Sequence, residues 1–199
     1  MTLKALMVDV DGVIVRHPRH GRRWDERLEA DLGIKPDDLQ RRFFAPYFRD
    51  IVLGREALED RLALVLPAIA PAVTPQQLIT YWFEQDAHLD PVLLGDLASY
   101  RAGGLQLHLA TVQEHRRAAY LWDDLGLKDR FDGLHHSAAV GAKKPDARYF
   151  VAVQARTGFA PAELLLIDDS DVNVAAAKAA GWGGLLWTGE HRLPGLLKL

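Results

Sequence analysis

The chain contains no cysteine. That excludes a disulfide framework, a thiolate nucleophile and any cysteine-ligated zinc or iron–sulfur centre, and it agrees with a reducing cytoplasm. An excess of charge of one sign is also missing. A net charge of −3 over 199 residues gives no electrostatic case for nucleic acid or an anionic membrane surface as the main partner. Long apolar runs are missing too. The longest, residues 62–73, is short for a membrane span and is broken by Pro67 and Pro71. The first residues reach Asp9 before the apolar region of a signal peptide can form. There is no internal repeat and no low-complexity tract. A soluble cytoplasmic protein, monomer or homodimer, with no membrane or nucleic-acid partner, is the expectation.

What is present suffices for a packed core: 49% of residues are hydrophobic and 26% charged. The length allows one domain with an insertion, or two small domains. Four short apolar runs, at residues 3–8, 105–110, 164–167 and 184–187, read as buried parallel strands, with a weaker fifth at 133–136. Helical stretches lie between them at 91–102, 115–125, 146–157 and 172–180. Each is followed by glycine (Gly103, Gly126, Gly158 and Gly181), the residue that commonly ends a helix. Strands alternating with helices imply an α/β fold, a Rossmann-like parallel sheet between two helical layers.

Residues 16–90 break this alternation. Stretches 24–32, 37–48, 55–66 and 75–87 all read as helices, the last with Thr74, Pro75 and Gln77 placed for a capping box. The expected organisation is therefore a core of residues 1–15 and 91–199 with an all-helical insertion at 16–90. Phe43, Phe44, Tyr47, Phe48, Trp82 and Phe83 fall at helical spacings and read as the core of that small bundle. The basic run Arg16-His17-Pro18-Arg19-His20-Gly21-Arg22-Arg23 reads as a solvated linker at the first junction, and His135-His136 as ordinary histidines without a third metal ligand at a suitable spacing.

The chemistry lies at the strand ends. Asp9-Val10-Asp11-Gly12-Val13 places two acids two residues apart after the first strand, where alternation turns both to one side and Gly12 lets the chain turn away. Like charges held together in this way suit the handling of a cation or a proton. Ligands of an open α/β sheet bind at the carboxyl ends of its strands. There the second strand offers Thr111 and the third Asp168-Asp169-Ser170, while Lys144 stands directly before Pro145, read as the start of a helix. Carboxylates without histidine or cysteine suit Mg²⁺, and a lysine with a hydroxyl suits the remaining oxygens of a phosphate.

The four motifs, in this order, resemble those of haloacid dehalogenase-like hydrolases with a helical cap after the first strand. They are Asp9-Val10-Asp11-Gly12-Val13, then Thr111, Lys144-Pro145-Asp146, and Asp168-Asp169-Ser170 with Asn173. The resemblance implies a Mg²⁺-dependent phosphatase acting on a small phosphorylated metabolite through an aspartyl-phosphate. Asp9 would be nucleophile and metal ligand. Asp11 would give the metal its backbone carbonyl and act as general acid, then base. Thr111, Val112 and Lys144 would hold the phosphate, and Asp168 and Asp169 would complete the metal site. Asn173 stands where many relatives carry an aspartate, and Val112 where they often carry asparagine. A phosphomutase of the same family and a metal-independent 2-haloacid dehalogenase are the alternatives, though Asp11 speaks against the second because displacing halide leaves no oxygen to protonate. A phospho-receiver domain and a non-catalytic binding protein rank lower.

Overall fold

The computed structural model describes residues 2–16 and 23–197, so residues 17–22 of the basic run lie outside the described residues. Five parallel strands form one sheet: β1 (Ala5–Val8), β2 (Gln106–Thr111), β3 (Gly133–His136), β4 (Leu164–Asp168) and β5 (Gly183–Leu186), in the order β3-β2-β1-β4-β5. All five expected strands are present, β3 with the bounds read from the sequence and the other four displaced by a residue or two at one or both ends.

The central strand explains the layering. All four side chains of β1 are fully buried, as a strand covered on both faces requires. Leu6 and Val8 pack on one face with Leu93, Leu97, Leu107 and Leu121; Ala5 and Met7 pack on the other with Tyr149, Phe150 and Leu166. Each face is sealed by helices that alternate with the strands in sequence: Pro91–Ala102 and Tyr120–Asp124 on the first, Ala147–Thr157 and Asp171–Ala179 on the second.

After β3 the chain crosses to the far side of β1 to form β4. The topological switch therefore lies between β1 and β4, where parallel sheets leave a crevice at their carboxyl ends. Val8 is in register with both Leu109 and Ile167, so β1, β2 and β4 end side by side.

Among the described residues of 16–90 the regular elements are all helical, and Leu89 makes a single antiparallel bridge to Val15. These helices bury a hydrophobic cluster of their own, including Leu28, Phe43, Leu62, Leu66, Leu78, Trp82 and Phe83. Phe44, Phe48 and Trp24 contact Trp82 within it, so the aromatic spacings seen in the sequence do serve packing. The two chain crossings run together. Arg16 N–H donates to the His88 carbonyl at 3.0 Å, Asp90 N–H to the Ile14 carbonyl at 2.8 Å, and the Arg16 and Asp90 side chains pair at 2.8 Å.

Several boundaries differ from the sequence reading. Residues 24–27 are turns and the helix is only Leu28–Leu32. Leu58–Ile69 replaces 55–66 and runs through Pro67, because burial of Leu62, Val65 and Leu66 outweighs the missing N–H. Pro145 does not start a helix. It follows a cis bond from Lys144, and the helix Ala147–Thr157 begins two residues later because the Asp146 carboxylate caps Arg148 N–H at 2.9 Å. Among the described residues no helix is long and apolar enough to cross a membrane.

Candidate active site

The strand ends at the switch point bring Asp9, Asp168 and Lys144 together. Asp9 follows β1, held by its N–H on the Ile167 carbonyl at 2.9 Å. Its Oδ1 accepts from Val10 N–H at 2.8 Å and faces the Lys144 ammonium at 3.0 Å. Lys144 also donates to Asp168 Oδ2 at 2.5 Å, and both of these side chains are fully buried. A buried ammonium between two carboxylates is the arrangement that keeps buried charge tolerable. Asp168 Oδ1 is in turn satisfied by Ser170 N–H at 2.9 Å and Asn173 Nδ2 at 3.0 Å. Asn173 thus supports the buried carboxylate directly, and the Ser170 hydroxyl caps the helix Asp171–Ala179.

Carboxylate oxygens of Asp9, Asp168 and Asp169 lie within 4.8 Å of one another, with the first two buried and Asp169 exposed. The donor set is all oxygen, which fits a hard divalent cation such as Mg²⁺. Gly12 completes the cradle. Its φ is +77°, and a Cβ there would stand 2.0 Å from Asp169 Oδ2, so only glycine lets the loop after β1 approach this carboxylate.

Thr111 ends β2 fully buried, and its hydroxyl has no hydrogen-bond partner in the fold. A buried hydroxyl without an acceptor is costly, and at the carboxyl end of a parallel strand it is suited to a ligand oxygen. Val112 follows it, half-buried.

Asp11 meets different neighbours from Asp9. Its Oδ2 accepts from Gln113 Nε2 at 2.6 Å. Although the residue is exposed, the surrounding protein strips much of the solvation from its carboxyl. That loss of solvent pushes its carboxyl up to about 7, with the negative charges of Asp9 and Asp86 adding to the rise and Arg117 opposing it. Asp9 rises to about 6, also through burial, with Lys144 holding it down. Asp169, although exposed, rises through partial loss of solvent around its carboxyl and through the nearby Asp168 charge.

Gln113, Ser137, Asp86 and Arg117 belong to this neighbourhood and were not singled out from the sequence. Gln113 stands two residues past Thr111, a spacing that could have suggested a shared side. The others carry no local signal. Arg117, 2% exposed, donates to the carbonyls of Phe83 (2.9 Å) and Asp86 and lies 3.7 Å from the Asp86 carboxylate. His135 and His136 pair separately, with His108 and His115 respectively, each at 3.2 Å.

Residues 3–181 match the family model for haloacid dehalogenase-like hydrolase. The chain belongs to this family of hydrolases. It is 37% identical over 195 residues to the sesquiterpene phosphatase astK of Aspergillus oryzae, covering 92% of this chain and 89% of that one. It is 27% identical over 190 residues to a phosphoglycolate phosphatase of Thiobacillus denitrificans, covering 91% and 81%. Other curated relatives align over about half of this chain, which spans only 39–42% of their length. In fold, the chain is similar to a Bacteroides thetaiotaomicron HAD family enzyme solved with magnesium and inorganic phosphate, with a TM-score of 0.81, 18% identity, and coverage of 98% of this chain and all of that one.

Proposed function

We propose that this enzyme is a Mg²⁺-dependent phosphatase that hydrolyses a small phosphomonoester through an aspartyl-phosphate on Asp9. The observation that carries this reading is the unequal setting of two acids two residues apart. Asp9 is held against Lys144 at 3.0 Å, which opposes the rise that burial causes and favours the carboxylate. Asp11 lacks that ammonium and, against the Gln113 hydrogen bond, is raised to about 7 chiefly by loss of solvent, which favours the acid.

The residues divide the reaction accordingly. Asp9 Oδ1 is engaged by Val10 N–H and Lys144, which leaves Oδ2 to attack phosphorus. As the bond from phosphorus to the leaving oxygen breaks, Asp11 gives that oxygen its proton. The Asp11 carboxylate then takes a proton from water, whose oxygen attacks phosphorus. Release of phosphate restores Asp9. Thr111, the Val112 backbone and Lys144 hold the equatorial oxygens, and the orphaned Thr111 hydroxyl gains its acceptor in that complex. The carboxylates of Asp9, Asp168 and Asp169 with the Asp11 backbone carbonyl would hold Mg²⁺, which would supply charge neutralisation at the phosphoryl group. Residues 16–90 serve as a cap that closes over the cleft, excludes water and selects the substrate.

The test is turnover of an aryl phosphate, with and without Mg²⁺. Asp9→Asn should abolish it, since the amide cannot form the intermediate, and a chelator should do the same to the unaltered enzyme. Retention of the full rate by purified Asp9→Asn would overturn the assignment. A panel of metabolite phosphates then identifies the substrate.

A further inference from the structure

We propose that Gln113 is a positioning residue for Asp11, tied through Ser137 to the inserted helical segment. The inference rests on the general-acid role given to Asp11 above. Gln113, 6% exposed, donates its amide N–H to Asp11 Oδ2 at 2.6 Å. Its own backbone is anchored: the Gln113 carbonyl accepts from Ala138 N–H at 3.2 Å and lies 3.2 Å from the Ser137 hydroxyl. Ser137, fully buried, donates that hydroxyl to the Val52 carbonyl at 2.6 Å. A continuous path of polar contacts thus runs from the helical segment at Val52, through Ser137 and Gln113, to the Asp11 carboxyl.

The amide contact has a chemical consequence. An oxygen that accepts an N–H is a poor place for a carboxyl proton, so the acid form of Asp11 carries its proton on Oδ1. The proton leaves from Oδ1 when the ester bond breaks, and returns to Oδ1 from the attacking water. Gln113 keeps its hydrogen bond to Oδ2 in both halves of the cycle. One rotamer of Asp11 is thereby selected, and one oxygen is presented to the leaving group. Aiming a proton donor in this way contributes through orientation, to which displacements of about 1 Å matter by roughly a hundredfold. Val52 reaches this path only when the helical segment sits on the core, so docking of that segment and aiming of the acid are linked.

The experiment compares two substrates that differ in their need for a proton. 2,4-Dinitrophenolate departs without one, whereas phenolate departs far more readily as phenol. Gln113→Met keeps the length of the side chain and removes the donor. It should lose at least tenfold more kcat on phenyl phosphate than on 2,4-dinitrophenyl phosphate. Ser137→Ala leaves Gln113 in place and should shift the ratio in the same direction by a smaller factor. It also serves as the test if Gln113→Met fails to fold. Equal losses on both substrates would show a merely structural role and overturn the proposal, as would no loss on either. Asp11→Asn separates this failure from failure of the broader reading. If Asp11→Asn is selective against phenyl phosphate and the Gln113 and Ser137 variants are not, only the positioning role falls. If Asp11→Asn is itself unselective, the general-acid assignment falls with it.

Discussion

At the residue scale, Asp9 and Asp11 show how neighbours make two identical groups unlike. Lys144 bonds one, and Gln113 bonds the other. A second pair of like residues is His108 and His135, stacked in the interior with their ring nitrogens 3.2 Å apart. Burial, followed by the nearby His108, Arg156 and His136, lowers His135 to about 4 from the ordinary value near 6.5. The native state therefore leaves this ring neutral where the unfolded chain protonates it. Its contribution to stability is complete above about pH 6.5 and is lost as pH falls towards 4. The loss is on the order of 3 kcal/mol. Urea unfolding across this window should show a shallower pH slope for His135→Gln than for the unaltered protein, and identical slopes would remove His135 as the cause.

At the element scale, the capped start of the helix Pro75–Gln85 was among the most legible features. The Thr74 hydroxyl accepts from Gln77 N–H at 3.2 Å and the Gln77 side chain accepts from Thr74 N–H at 2.8 Å, as the capping box in the sequence implies. Thr74→Ala should cost about 1 kcal/mol, seen as a fall of roughly 2–4 °C in the midpoint of thermal unfolding. The strands were equally legible, because burial on both faces leaves runs of apolar residues with few competitors. Element ends were less so. The start of Ala147–Thr157 depends on the Asp146 side chain turning back to cap Arg148, a choice that Pro145 obscures. Arg117 was not legible at all. A basic residue on a helix reads as solvated, yet this one is buried against Phe83 and Asp86, with its guanidinium 5.2 Å from the Phe83 ring.

At the scale of the whole molecule, the proposed metal site joins segments far apart in the chain: Asp9 after β1, and Asp168 and Asp169 at the end of β4. A cation that binds only this assembled set stabilises the native state by mass action. At Mg²⁺ about a hundredfold above its dissociation constant, the gain is about 2.7 kcal/mol. For a protein of this size the thermal midpoint should rise by roughly 5–10 °C. A chelator should reverse the rise, and Asp169→Asn should remove most of it. An unchanged midpoint in the unaltered protein would argue against the site.

The linear order of residues carries the parallel sheet, the helical insertion and the four acid, hydroxyl and lysine motifs, because each is written in signals a few residues long. Hydrophobic runs, caps and glycines act on the backbone beside them. What lies between the motifs was settled only by folding. Gln113 and Asp11 are 102 residues apart, Ser137 and Val52 are 85 apart, and Arg117 and Asp86 are 31 apart. No local preference of the chain encodes such contacts. They arise because β1, β2 and β3 end together and the inserted helices rest on them, burying polar groups that must then find partners in one another.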